Sequence, residues 1–365
     1  MMSRYSRQVH LPQVGLLGQQ KLQNARILVI GAGGLACAVL PYLTTGGIGT
    51  IGIIDGDKID ESNLQRQVLY PENAVGESKV LQAKKKLEAL NSATNIKVYN
   101  CFLNAENAVS IIENYDVVVD ATDSLAIRYL INDACIIAGK PFVYGSVYRF
   151  EGQVSVFNYK NGPSYRCLFP NPPKKGDVPN CEDIGVLGVL PGIIGTMQAN
   201  EVLKIILEIG NVLSGKLLFY NALSFQSTIL NIQKSENEIN QVLKNKDAFE
   251  KTIVTEICDI ESFEVSIENI YQKENIQFID VRETHELPKV EDLQITSIPL
   301  SVLENQLNKI HPEKEKAIFC QSGIRSKKAV SILESLNINN CISMIEGASD
   351  INNYLKQHKI VSNDK

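Results

Sequence analysis

No C-x-x-C pair occurs in the 365-residue chain, although it contains eight cysteines. Paired cysteines at that spacing are the common grip of a structural zinc ion, so their lack argues against such a site. Long apolar runs are also missing. The most apolar stretch, residues 185–199, is too short to span a bilayer and is interrupted by Pro191. The first twenty residues have no sustained apolar core of the kind a signal peptide needs. The chain is therefore expected to be cytoplasmic, with its thiols reduced. Positive charge is not in excess either: 36 Lys and Arg face 41 Asp and Glu, a net charge of −5. That balance argues against nucleic acid or a membrane as the main partner, while leaving room for a local phosphate site. Internal repeats and low-complexity segments are absent.

What is present is an ordinary globular balance, 44% hydrophobic and 21% charged, at a length that suits two domains. RILVIG, IGIID, IKVYNC, YDVVVDAT and KPFVYGSV are short apolar runs, several of them separated by longer helical patterns such as LACAVLPYLTTGG and SKVLQAKKKLEALN. Near-continuous apolar strands alternating with helices predict an α/β fold, a parallel sheet covered on both faces. EGQVSVFNY and KLLFYNALS read as antiparallel additions. Residues 236–255 are polar and charge-rich; they fit a surface helix of the first domain, and an inter-domain linker is the expectation taken here. Beyond them the pattern restarts, with FEVSIENIYQ helical, IQFIDV and AIFC as strands, SKKAVSILESL helical and CISMIEG as a strand. The domains expected are thus 1–235 and 256–365.

Gly31-Ala-Gly33-Gly34 follows a strand and opens a helix, a turn that lets backbone amides face phosphate oxygens. Asp55 ends the next strand, where an acidic group takes ribose hydroxyls. These features suit a nicotinamide-dependent oxidoreductase equally well, and glycines alone serve as a strand–helix turn. The next segment, DKIDESNLQRQ, adds Asp57, Asn63 and Arg66, and Lys79 starts a helix just after Gly76. Fixed cations such as Arg66 and Lys79 neutralise charge building on a leaving pyrophosphate, which points to a triphosphate. Solvated surface charges are the bland alternative for both.

RYSRQ, GAGGLA, SNLQRQ, GESK, DATDS and YRCLFP occur in an order and spacing that resemble the MoeB/ThiF group of ubiquitin-activating-like adenylyltransferases, over residues 4–230. The resemblance implies a Rossmann-like adenylation domain with a mixed, largely parallel sheet. It implies adenylation, by ATP with Mg²⁺, of the C-terminal Gly-Gly carboxylate of a ubiquitin-like sulfur carrier of the molybdopterin-synthase or thiamine type. By position, Gly31, Gly33 and Gly34 would lie at the phosphates and Asp55 at the ribose. Asp57, Asn63, Arg66, Lys79 and Ser124 would line the nucleotide, and Asp123 would organise Mg²⁺. For Asp123 the plain alternative is a helix N-cap. Arg7 would act in the partner subunit's site, so a homodimer is implied. Two departures stand out. Ala36 replaces the last glycine of the loop, and of the family's four zinc-binding cysteines only Cys167 remains, in Ser164-Tyr-Arg-Cys167, so no structural zinc is expected. A carrier-binding module without catalysis is a further alternative.

Two cysteines are candidates for sulfur chemistry. Cys181 lies in a Gly/Pro/Asp loop, where the resemblance implies covalent bonding to the carrier; an incidental loop cysteine is the alternative. Cys320 ends a strand, and the residues from Cys320 to Arg325 lead into a helix. Such a loop can curl its amides around a sulfur anion, with Arg325 and the helix dipole favouring thiolate. With FIDVRE upstream and SMIEGA downstream, residues 256–360 resemble a rhodanese domain. A phosphatase loop is the rival, but it carries one more residue between Cys and Arg. The expected sequence of events is carrier adenylation, persulfide transfer from Cys320 charged by a donor such as a cysteine desulfurase, and resolution by Cys181 to a thiocarboxylate.

Overall fold

The structure is a computed structural model and describes residues 2–172, 185–246, 249 and, from 264 to 362, all except 272, 274, 291, 292, 322 and 337. The chain divides into two compact units, Met1–Thr255 and Glu256–Lys365.

The first unit opens with helices α1 (Met2–Val9) and α2 (Gly15–Asn24). Then follow β1 (Arg26–Ile30), α3 (Ala36–Gly46), β2 (Thr50–Ile54), α4 (Lys79–Leu90), β3 (Asn95–Tyr99), α5 (Ala105–Ile112), β4 (Val117–Asp120) and α6 (Leu125–Ala138). After them come β5 (Phe142–Tyr148), β6 (Glu151–Phe157), the short α7 (Tyr165–Leu168), α8 (Val189–Leu207), β7 (Lys216–Asn221), β8 (Gln226–Asn231) and α9 (Glu236–Lys244). The strands form one eight-stranded sheet in the order β3-β2-β1-β4-β5-β6-β7-β8. β1 to β5 are parallel, and β5 to β8 pair antiparallel. This is the α/β arrangement that the apolar runs imply and the Rossmann-like, largely parallel sheet that the resemblance implies.

The apolar runs become strands because both their faces are covered. Ile27, Leu28 and Val29 of β1 are all fully buried, as are Val118 and Val119 of β4. α8 contributes Leu190, Ile194 and Val202 to the core shared with Val39, Leu40 and Leu43 of α3. No helix among the described residues is long and apolar enough to cross a membrane. α9, capped by the Ser235 side chain, is helical within the segment expected as a linker, and it buries Val242.

The second unit has a five-stranded, all-parallel sheet in the order β11-β10-β12-β13-β9. Its elements are β9 (Glu264–Val265), α10 (Ile267–Ile270), β10 (Ile276–Asp280), β11 (Ile295–Ser297), β12 (Glu315–Phe319), α11 (Ile324–Ser335), β13 (Cys341–Met344) and α12 (Ala348–Ser362). Within FEVSIENIYQ, expected to be wholly helical, the described residues form a two-residue strand followed by one helical turn, because Glu264 and Val265 pair with Ser343 and Met344. Two apolar clusters flank the sheet, one around Ile279, Ile318 and Leu333, the other around Phe278, Phe319 and Ile351.

Candidate active site

A parallel sheet whose strand order reverses between β1 and β4 leaves a crevice beyond the carboxyl ends of those strands. A cleft of about 360 Å³ opens there, lined by Gly31, Gly33 and Gly34 after β1, Asp55 and Asp57 after β2, and Asp123 and Ser124 after β4. Arg66 and Lys79 line it as well.

Each of these residues is placed by a local reason. Gly31 has φ +91°, and a Cβ on it would lie 2.7 Å from the carbonyl oxygen of Ala121, so only glycine lets β1 turn against β4. A Cβ on Gly34 would come within 3.0 Å of Pro191, which lets α3 start hard against α8. Asp55 ties the two loops together: its Oδ2 accepts from Ala32 N at 2.7 Å and its Oδ1 from Asp57 N at 2.7 Å. Burial pushes the Asp55 carboxyl above its ordinary range, while those two amides and Lys79 oppose the shift.

Lys79 is nearly buried, and its Nζ lies 2.8 Å from Asp57 Oδ2, an acid half exposed to the cleft. Arg66 donates through Nη1 to Ser62 O at 2.9 Å, within a turn that begins where Asp60 accepts from Ser62 N. Gln67, also lining the cleft, is buried. Asn63 is not among the cleft-lining residues; its carbonyl accepts from Arg66 N and Gln67 N and so holds the turn that presents them.

Ser124, not Asp123, caps α6, its Oγ accepting from Ile127 N. Asp123 is exposed at the cleft, and its carboxylate makes no hydrogen bond among the described residues. A carboxylate free of capping duty at such a cleft is a suitable ligand for a hard cation. Arg7 lies elsewhere. α1 is fixed by Tyr5, whose hydroxyl accepts from Asn91 Nδ2 at 2.9 Å, and by Gln8, which donates to Gly46 O at 3.2 Å. Those partners precede β3 and β2, so Arg7 sits at the end of the sheet opposite its own cleft.

Arg128 and Arg149 line the cleft too, and sequence reasoning did not single them out. Arg149 has φ 53° at the β5–β6 turn and carries no local motif. Arg128 sits in the largely apolar run LAIRYLINDACIIAG, where a lone cation is the one available signal.

Cys167 lies in α7, where that short helix meets the start of α9. Its sulfur accepts from Ser164 N at 3.3 Å and Ser235 N at 3.2 Å, and stands 3.3 Å from Ser164 Oγ. Arg166 beside it is bidentate to Asp133, at 2.8 and 2.7 Å. Among the described residues no cluster of three His, Cys, Asp or Glu is arranged to hold a metal ion. Cys181 lies outside the described residues, with Lys174, Lys175, Glu182 and Asp183. Burial raises the Cys37 thiol to about 12, as befits a core residue.

In the second unit, Cys320 follows β12 and is 1% exposed. Its Sγ is 3.7 Å from Ser326 Oγ, which in turn donates to Gly323 O at 2.9 Å. Gly323 has φ +82°, reversing the loop into α11. Arg325 forms a bidentate pair with Glu286, and the guanidinium holds that carboxyl far down, at about 2. Arg282, buried and doubly bonded to Asp280, donates to Gln321 Oε1 at 3.3 Å and so braces the same loop from the β10 side.

The chain is 39% identical over 366 residues to the protein named adenylyltransferase and sulfurtransferase MOCS3 of Xenopus laevis, covering 91% of this chain and 81% of that one. It is 47% identical over 239 residues to the sulfur carrier protein adenylyltransferase of Thermus thermophilus, covering 64% of this chain and 88% of that one. Among solved structures, Escherichia coli MccB with MccA-N7isoASN shares the fold, with a TM-score of 0.58 at 24% identity over 64% of this chain and 73% of that one. Residues 5–241 match the sequence model of the ThiF family, and the chain belongs to that family.

Proposed function

We propose that the chain uses ATP to adenylate the C-terminal Gly-Gly carboxylate of a ubiquitin-like sulfur carrier and then converts it to a thiocarboxylate. The observation that carries the first step is the convergence, at one crevice, of the Gly31–Gly34 turn, the ribose-type acid Asp55, the cations Arg66 and Lys79, and the uncommitted carboxylate of Asp123. The names of the relatives support the same chemistry. A carrier carboxylate oxygen attacks the α-phosphorus, the bond to the bridging oxygen breaks, and pyrophosphate leaves. Carboxylate is already a competent nucleophile, so the protein's task is positioning and charge neutralisation. Lys79, held by Asp57, meets the phosphates without first having to be ordered. Asp123 would hold Mg²⁺, which when bound neutralises phosphate charge.

In the second step the second unit acts as a rhodanese. Cys320 receives a sulfur from a donor such as a cysteine desulfurase, and its terminal sulfur attacks the acyl carbon while AMP departs. The Cys181 thiolate is assigned to attack Cys320 Sγ, which breaks the S–S bond of the acyl disulfide, releases the thiocarboxylate and leaves a Cys181–Cys320 disulfide for an external dithiol reductant to reopen. The working assembly is a homodimer in which Arg7 enters the partner's cleft.

Lys79→Ala and Arg66→Ala are each expected to lower carrier-dependent ATP–pyrophosphate exchange by about 10²–10³-fold, the usual loss for one preorganised charge contact. Exchange within threefold of the unaltered protein in both variants would reject the clamp.

A further inference from the structure

Beneath Asp123 lies a buried ion pair. Asp120, the last residue of β4, is fully buried; its Oδ1 accepts from Thr122 N at 3.0 Å and from Thr122 Oγ1 at 2.7 Å. Its Oδ2 accepts no hydrogen bond among the described residues and stands 3.6 Å from Arg128 Nε. Arg128, 6% exposed, reaches back from the first turn of α6 and donates through Nη2 to Thr122 O at 3.1 Å. Its guanidinium lies over the Tyr144 ring, 5.2 Å from the centroid. Gln198 of α8 donates to Asp120 O at 2.7 Å.

Such a pair is a poor device for stability alone. Two charges have been taken from water for an ion pair too long to be a hydrogen bond, and apolar side chains of the same volume serve a core as well or better. What the pair does achieve is geometric. The amide and hydroxyl of Thr122 are held by Asp120, and its carbonyl is held by Arg128. Asp120 thus fixes the peptide that enters Thr122 and Arg128 the carbonyl of the peptide that leaves it, and together they set the direction in which Asp123 leaves the backbone.

We propose that Arg128, backed by Asp120, is a positioning residue that aims Asp123 at the metal of MgATP. This rests on the reading of Asp123 as the metal carboxylate. Lysine cannot substitute: one ammonium has no planar fork with which to face Asp120 and grip the Thr122 carbonyl together.

The test is calorimetric titration of the full chain with ATP, once with Mg²⁺ and once with EDTA, in the absence of carrier. The quantity read is the factor by which Mg²⁺ tightens binding. Arg128→Lys is expected to cut that factor about tenfold, as small misplacements of a positioned group do. Asp120→Asn, nearly isosteric, is expected to act in the same direction and decides the matter if Arg128→Lys fails to fold. Asp123→Asn separates the two readings. If it reduces the Mg²⁺ factor while Arg128→Lys and Asp120→Asn leave it intact, the positioning role is wrong and the metal assignment stands. If Asp123→Asn leaves the factor intact, both fall. An equal loss with Mg²⁺ and with EDTA, accompanied by a lower Tm, would make the pair merely structural and overturn the inference.

Discussion

Single residues in both units hold their charges in pairs. Lys79 is nearly buried and would be costly without Asp57; with it, the ammonium is present at the cleft before any phosphate arrives. Arg325 and Glu286 form the equivalent pair beside Cys320. Because Arg325 holds Glu286 at about 2, against 4.5 for a free side chain, the folded protein stays deprotonated where the unfolded chain takes up a proton. The stabilisation is fully present above the unfolded value and is lost as pH falls towards the folded one. Thermal unfolding of the full chain between pH 5 and pH 2.5 should therefore show a shallower acid loss in Glu286→Gln than in the unaltered protein. Equal slopes in calorimetry would remove the pair as a source of acid sensitivity.

Secondary-structure elements differ in how visible they are to sequence. β1, β2, β4 and β5 are plain because their apolar runs are buried on both faces, and α3 and α6 end at Gly47 and Gly139, both in the left-handed region. β8 left no trace: all six of its residues are exposed, so QSTILN carries no apolar period, and only pairing with β7 makes it a strand. The glycine turn, Asp55, Arg66, Lys79 and Asp123 were legible because they stand in short local motifs. Arg128 was not, because its meaning lies in contacts with Asp120 and Thr122 made by the fold. Placement of α1 is likewise a matter of tertiary structure, and it carries a prediction. With Arg7 at the far end of its own sheet, a role in adenylation requires the partner subunit. Mixing Arg7→Ala with Lys79→Ala chains should restore roughly a quarter of the sites after random exchange, since half the dimers are mixed and one site in each is whole. No recovery in pyrophosphate exchange, with subunit exchange verified, would put Arg7 in its own subunit's site or remove it from catalysis.

Over the whole molecule, two units with separate sheets and separate cores carry what the proposed function treats as separate reactions. Neither sheet needs the other to form its own candidate site: every residue lining the cleft belongs to the first unit, and the Cys320 loop is braced from within the second by Ser326, Gln321 and Arg282. Separate construction implies separable chemistry. Cys320→Ser changes one buried atom for a slightly smaller one, so carrier-dependent pyrophosphate exchange should persist within about threefold, whereas a serine oxygen cannot hold a transferable sulfur. Persulfide formation and carrier thiocarboxylate should both be lost. Arg325→Ala should weaken sulfur transfer while also leaving exchange intact, because the cation beside the loop favours a sulfur anion. Mass spectrometry of the carrier C-terminus, with free sulfide excluded, reads the outcome as sulfur in place of oxygen. Undiminished thiocarboxylate from Cys320→Ser would leave the second unit without its proposed reaction, and loss of exchange in that variant would mean that the two sites are coupled.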